Sequence, residues 1–317
     1  MIATTEYERL REAVGLLDRS ARGKFLLTGA EVAEFLQGQV TNDVEALEPG
    51  NGCYAALLDH KGKIRADMRV LRGEDWFWLD CEAIGRDALA KTIKMYSLGR
   101  DVRSEDLTDS RAILSLIGPA AREALDVVPP DREHSFVEGE HGIYVATDLG
   151  VDIVCPTGQA DAVRDALAIE PVAEEAAECL RIESGRPRYG LDMGPSTIPE
   201  EAGLNERAVS FEKGCYVGQE TVARLHYKGK PNRFLRGLRL TAEADPGAPI
   251  VLAEREVGTI GSACVSPARG PIALAIVRRE ASPGDTVKVG AEGIEAELGA
   301  PIRGLRTMVR PPESGVR

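Results

Sequence analysis

The chain has 317 residues, 43% apolar and 28% charged, with a formal net charge of -12; that length supports two or three domains with well-filled cores. The acidic balance repels phosphate backbones and argues against a nucleic-acid groove, and no apolar run reaches the roughly 20 residues of a membrane-spanning helix. The opening MIATTEYERLREAVGLL mixes acids with bases, unlike a secretory or organellar leader, so a cytoplasmic location is expected.

Residues 4–18 read as an opening helix, with Leu10, Val14 and Leu17 on one face. Lys24 to Leu27 is a short strand. Thr28-Gly29-Ala30-Glu31 has the order of a capping box, a hydroxyl followed three residues later by a carboxylate. The helix it opens collects Val32, Phe35, Leu36 and Val40 on one side. Ala55–Leu58, Met68–Leu71 and Trp76–Leu79, separated by polar turns, form an antiparallel meander by spacing. Residues 85–97 return to helix, and Ala112–Ile117 is an apolar strand whose Gly118-Pro119 exit suits a first helical turn. Ile143–Thr147 and Val151–Val154 are strands, and 159–169 and 173–184 are helices.

Strands and helices mix here without a strict β-α-β rhythm, which indicates an α+β architecture rather than a doubly wound sheet. After Pro231 six short strands recur: Leu235–Leu240, Pro249–Leu252, Glu256–Ile260, Ile272–Val277, Thr286–Val289 and Ile294–Leu298. Gly and Pro turns separate them, the pattern of a small barrel. The expected division is residues 1–230, a barrel domain over 231–312, and a disordered tail over 313–317.

The six cysteines are far apart, with no C-x-x-C pair, and the four histidines lack ligand spacing. A bound metal is therefore disfavoured, and so is a disulfide framework. Five of the cysteines read as small buried hydrophobes.

Cys215 is different. It lies in Phe211-Glu-Lys-Gly-Cys-Tyr-Val-Gly-Gln-Glu220, bracketed by two glycines that permit a tight turn. A helix can open at Gly218, placing the thiol ahead of a helix N-terminus with Lys213 two residues away. Helix-end charge and an ammonium would both favour thiolate; a loop cysteine that merely fills space is the plain alternative. The basic run from Arg224 through His226, Lys228, Lys230, Arg233 and Arg236 to Arg239 is either a solvated connector or a mouth for an anionic ligand or acidic partner.

The string KGCYVGQETVAR resembles the signature of the YgfZ family of folate-binding proteins, relatives of the glycine-cleavage aminomethyltransferase. Phe35-Leu-Gln-Gly-Gln-Val-Thr-Asn-Asp43, Leu180-Arg-Ile-Glu-Ser-Gly-Arg-Pro-Arg-Tyr-Gly190 and Ile198-Pro-Glu-Glu-Ala-Gly-Leu204 extend the likeness over roughly residues 20–305. The resemblance implies an aminomethyltransferase-like fold: two interleaved α+β subdomains, a C-terminal β-barrel and a central folate channel. It implies tetrahydrofolate, or a substituted reduced folate, as cofactor. Its expected partners are iron–sulfur client or assembly proteins, with no direct nucleic acid and no membrane.

The implied role is assistance in making or repairing iron–sulfur proteins, with an indirect effect on tRNA modification. The alternatives are a folate-dependent aminomethyltransferase or demethylase, and a pure scaffold. Motif matching carries the folate grip to Asp152 and Arg181, and the enzyme's acidic pair to the single Asp67. Tyr216, Gln219, Glu220 and Arg224 of the signature are further candidate folate contacts. Cys215 and Lys213 are the candidate catalytic pair, with Cys215 as nucleophile and Lys213 tuning its thiol.

Overall fold

A computed structural model describes residues 4–300. The chain runs through α1 (Thr4–Glu12), β1 (Gly15–Asp18), β2 (Gly23–Thr28), α2 (Val32–Gln39), β3 (Asn51–Leu58), β4 (Ile64–Arg72), β5 (Trp76–Cys81), α3 (Arg86–Tyr96) and β6 (Arg103–Asp106). It continues through β7 (Arg111–Ile117), β8 (Phe136–Gly139), β9 (Gly142–Ala146), β10 (Gly150–Pro156), α4 (Ala160–Leu167), α5 (Glu174–Glu183), α6 (Asn205–Ala208) and α7 (Gln219–Lys228). Then come β11 (Arg233–Leu240), β12 (Pro249–Leu252), β13 (Arg255–Ser266), β14 (Gly270–Arg278), β15 (Thr286–Val289) and β16 (Ile294–Gly299).

Two five-stranded sheets are interleaved along the chain, ordered β3-β4-β5-β2-β6 and β1-β7-β10-β9-β8. Interleaving arises because β1 joins the second sheet, pairing Gly15 with Ile117, before the chain builds the whole of the first. The single helix expected over 4–18 is therefore an error of period. Helix stops at Glu12, and Leu16 and Leu17 are buried as strand residues. Gly15 is required there, since a Cβ would lie 2.6 Å from Val172.

The expected meander forms β3, β4 and β5 in antiparallel register. The helix before it, α2, buries Val32, Phe35 and Leu36 as the pattern demands. The capping box does not form: Thr28 stays in β2, paired with Trp76 and Arg103. The Glu31 carboxylate instead accepts the Asp101 backbone N–H. Gly118-Pro119 leads into turns, not a helix.

Strand alternation explains the layers. On β4, Ala66, Met68 and Val70 face a core with Phe35 and Leu36 of α2 and Leu89 and Ile93 of α3. Leu71 faces the other way and packs with Trp78, Ile113, Val145 and Val154 between the two sheets. The second sheet turns Leu114, Leu116, Val151 and Ile153 toward Ala160 and Val163 of α4. The C-terminal strands close into a barrel in the order β11-β14-β13-β12-β15-β16. All six expected strands are present; β13 is longer than expected because β12 and β14 both pair with it. The expected tail at 313–317, and the last part of the 231–312 span, lie outside the described residues. No described helix is long and apolar enough to cross a membrane.

Candidate functional site

Where the sheets diverge, a cavity of about 810 Å³ opens between β3, the loop before β8, the turn before β10, α5 and α6. Its size suits a medium-sized organic ligand. The turn at Thr147-Asp148-Leu149 delivers Asp148 to the wall, and Gly52 of β3 lets the backbone approach closely, since a Cβ there would meet the Val70 oxygen at 2.5 Å.

The wall carries charge on both signs. Arg186 holds Asp148 at 2.9 Å and Glu133 at 3.1 Å, and Arg207 adds a second bond to Glu133 at 2.7 Å. Burial alone would raise Glu133, but Arg207, with His134 and Arg186, outweighs it and holds the carboxyl at about 2. Burial keeps Asp148 above the ordinary carboxylate range, against the pull of Arg186. Burial also pushes His134 down to about 4, so its imidazole is neutral at pH 7. Neither of its ring nitrogens has a hydrogen-bond partner, and its backbone sits at φ 70°, a conformation costly for a non-glycine residue.

Tyr54 connects this wall to a deeper carboxyl. Its phenol donates to Asp67 Oδ2 at 2.5 Å, and the Arg207 guanidinium lies 4.9 Å from its ring centre. Burial raises both Asp67 and Tyr54 above their usual values, so the Tyr54 phenol keeps its proton. Cys53 also lines the cavity, and burial pushes its thiol up to about 12.

The residues singled out in the sequence are dispersed. Asp67 touches the cavity only through Tyr54. Asp152 is not on the wall. Alternation along β10 points it between the sheets, where Arg69 Nη1 lies at 2.7 Å and the Ser115 hydroxyl donates at 2.6 Å. Arg181 is likewise turned away from the cavity. It pairs with Glu178 within α5 and pins the helix to Asp192 at 2.8 Å and to Ser262 of the barrel at 2.6 Å.

Lys213 does not face the Cys215 thiol. Its ammonium is buried and donates to the carbonyls of Gln37, Val40 and Asn42 at 2.7, 2.7 and 2.8 Å. Burial pulls it down to about 8, and the three carbonyls oppose that pull by accepting from the charged form. Tyr216 packs into the core formed with Tyr189, Met193 and Val222, and burial pushes its phenol up to about 12. Gln219 is half-buried, while Glu220 and Arg224 are exposed on α7; none of the three lines the cavity. Cys215 is exposed, just ahead of Gly218, whose φ of 84° starts α7.

Sequence reasoning missed Tyr54, Glu133, His134, Asp148, Arg186 and Arg207. The one available signal was the Asp148-Leu149-Gly150 turn that leads into β10. The rest come from β3 (Tyr54), α6 (Arg207) and loops (Glu133, His134, Arg186), with no recurring spacing to connect them.

Comparison with known proteins gives a consistent picture. A model of the GCVT N-terminal domain matches residues 1–141, and one of the glycine cleavage T-protein C-terminal barrel domain matches 233–301. An aminomethyltransferase of Thermotoga petrophila is 30% identical over 312 residues, covering 91% of this chain and 85% of that protein. One from Synechocystis is 28% identical, covering 96% and 86%. The crystal structure of glycine cleavage system aminomethyltransferase T from Bartonella henselae superposes with a TM-score of 0.86 at 26% identity, covering 95% of this chain and 89% of that one.

Proposed function

The chain belongs to the aminomethyltransferase-like family of glycine cleavage T-proteins, and on that premise we propose that its central cavity binds tetrahydrofolate or a substituted reduced folate. The observation that carries this reading is the carboxylate pair Asp148 and Glu133, organised by Arg186 on one wall of an 810 Å³ cavity. The amino-pyrimidinone edge of a pterin presents parallel N–H donors, and a fixed carboxylate accepts them in pairs. Asp148 takes that role here, in place of Asp152. The anionic glutamate tail calls for cations at the cavity edge, and Arg132, exposed on its wall, supplies one.

Bound folate supplies the atom that carries or accepts a one-carbon unit. The residues of the chain orient it and exclude water. Arg186 fixes the carboxylates, and the Tyr54 phenol, donating to Asp67, keeps its proton at the wall. The names of the relatives favour aminomethyl transfer to folate as the reaction.

A second reading, a folate-dependent accessory factor for iron–sulfur proteins, is favoured by one observation. The YgfZ-like loop is anchored by buried Lys213 and Tyr216 on either side of an exposed Cys215, the arrangement of a thiol presented to a partner. Calorimetric titration with tetrahydrofolate tests the shared premise. Asp148→Asn removes a charge-assisted hydrogen bond worth roughly 1.5–3 kcal/mol, so affinity should fall about 10- to 100-fold. Unchanged affinity would remove Asp148 from the site. Turnover with an aminomethyl-lipoyl donor would establish the first reading. Loss of complementation by Cys215→Ser, with folate affinity intact, would establish the second.

A further inference from the structure

Cys179 of α5 and Cys264 of β13 lie where the helix packs against the barrel. Side chains two apart on a strand share a face, so Ser262, Cys264 and Ser266 all look at α5. Ser262 accepts from Arg181 at 2.6 Å, and the Ser266 hydroxyl donates to Glu183. These two bonds fix helix against strand on either side of the sulfurs. Between them Cys264 packs against the buried core that contains Cys179. Both thiols are free; Cys179 is fully buried and Cys264 is half-buried, open to a small reagent. The buried Glu183 carboxylate accepts from Tyr7 at 2.7 Å and lies 3.8 Å from the Cys179 sulfur, an acceptor ready for its proton.

We propose that Cys179 and Cys264 form a redox-sensitive tether, a reversible disulfide that locks the barrel onto α5. With a peroxide as oxidant, the Cys264 thiolate attacks one peroxide oxygen, becomes a sulfenic acid and releases hydroxide. Cys179 then attacks the Cys264 sulfur, its proton passing toward Glu183. The S–S bond forms, the S–O bond breaks and the second oxygen leaves as water. Two thiols are oxidised and one peroxide is reduced to two waters. Leu180, the neighbour of Cys179, lines the central cavity, so the tether stiffens one of its walls.

The test treats the full chain with hydrogen peroxide until Cys215 is modified, alkylates all remaining thiols in denaturant and maps the peptides. The expected result is a peptide pair joined through Cys179 and Cys264 that dithiothreitol separates. Slower hydrogen exchange in α5 and in residues 262–266 of the oxidised protein should accompany it. Cys264→Ser should lose both. Full alkylation of Cys179 and Cys264 after Cys215 has reacted would overturn the proposal, and so would linkage of either to another cysteine. The wild-type measurement decides even if the variant folds poorly.

Discussion

Two charged clusters built from the same residue types behave differently, and solvent is the reason. Between the sheets, Arg69 bridges Asp80 at 2.7 Å and Asp152 at 2.7 Å, while Arg22 continues the chain from Asp80 to Glu82. Burial would raise Asp80, but Arg69 and Arg22 outweigh it and hold it at about 2. These carboxylates serve as fasteners. On the cavity wall, the arginine–carboxylate pairs are half-buried around open space, and beside them His134 keeps two unpartnered ring nitrogens. A closed cluster stabilises the fold, and an open one has capacity left for a ligand.

The largest test of this contrast is Arg69→Met. It strands Asp152 in the interior and leaves Asp80 to Arg22 alone, and breaking a buried pair in this way costs roughly 3–5 kcal/mol. Urea unfolding should show that loss; a change below 1 kcal/mol, on the order of an exposed pair, would erase the distinction.

Next in size is the pH dependence carried by His134. Its folded value of about 4 lies below the ordinary 6.5, so the unfolded chain binds the extra proton in between. Stability is then fully present above pH 6.5 and is lost as pH falls through 4. The expected loss is about 3 kcal/mol by linkage. His134→Phe should flatten unfolding midpoints over that window, leaving the Glu133 contribution, which is lost only as pH falls from 4.5 through about 2. A wild-type midpoint that stays constant from pH 7 to 4.5 would contradict the buried neutral imidazole.

The smallest effect belongs to the signature loop. Cys215 is exposed, and Cys215→Ser should shift stability by less than about 0.5 kcal/mol. A larger loss would mean that the thiol is structural, and the loop would join the fasteners.

The legible part of the molecule was the part governed by local period. The barrel strands alternate, and their Gly and Pro turns punctuate them, so β12 and β15 were readable to the residue. The α2 face was readable from Val32, Phe35 and Leu36 for the same reason. Lys213 misled because sequence proximity to Cys215 says nothing of direction: the loop folds so that its ammonium reaches carbonyls more than 170 positions away. Asp152 misled because one strand residue and the turn just before it face different surroundings, and only Asp148 meets the cavity.

The sequence by itself determined the α+β character, the barrel and the exposed cysteine loop, since periodicity and turn chemistry act over neighbouring residues. Tertiary structure alone decided which carboxylates fasten and which face the cavity, and which two cysteines share the core between α5 and the barrel. Those outcomes depend on long-range pairing between elements, and a charge takes its role from the solvent and partners that folding leaves around it.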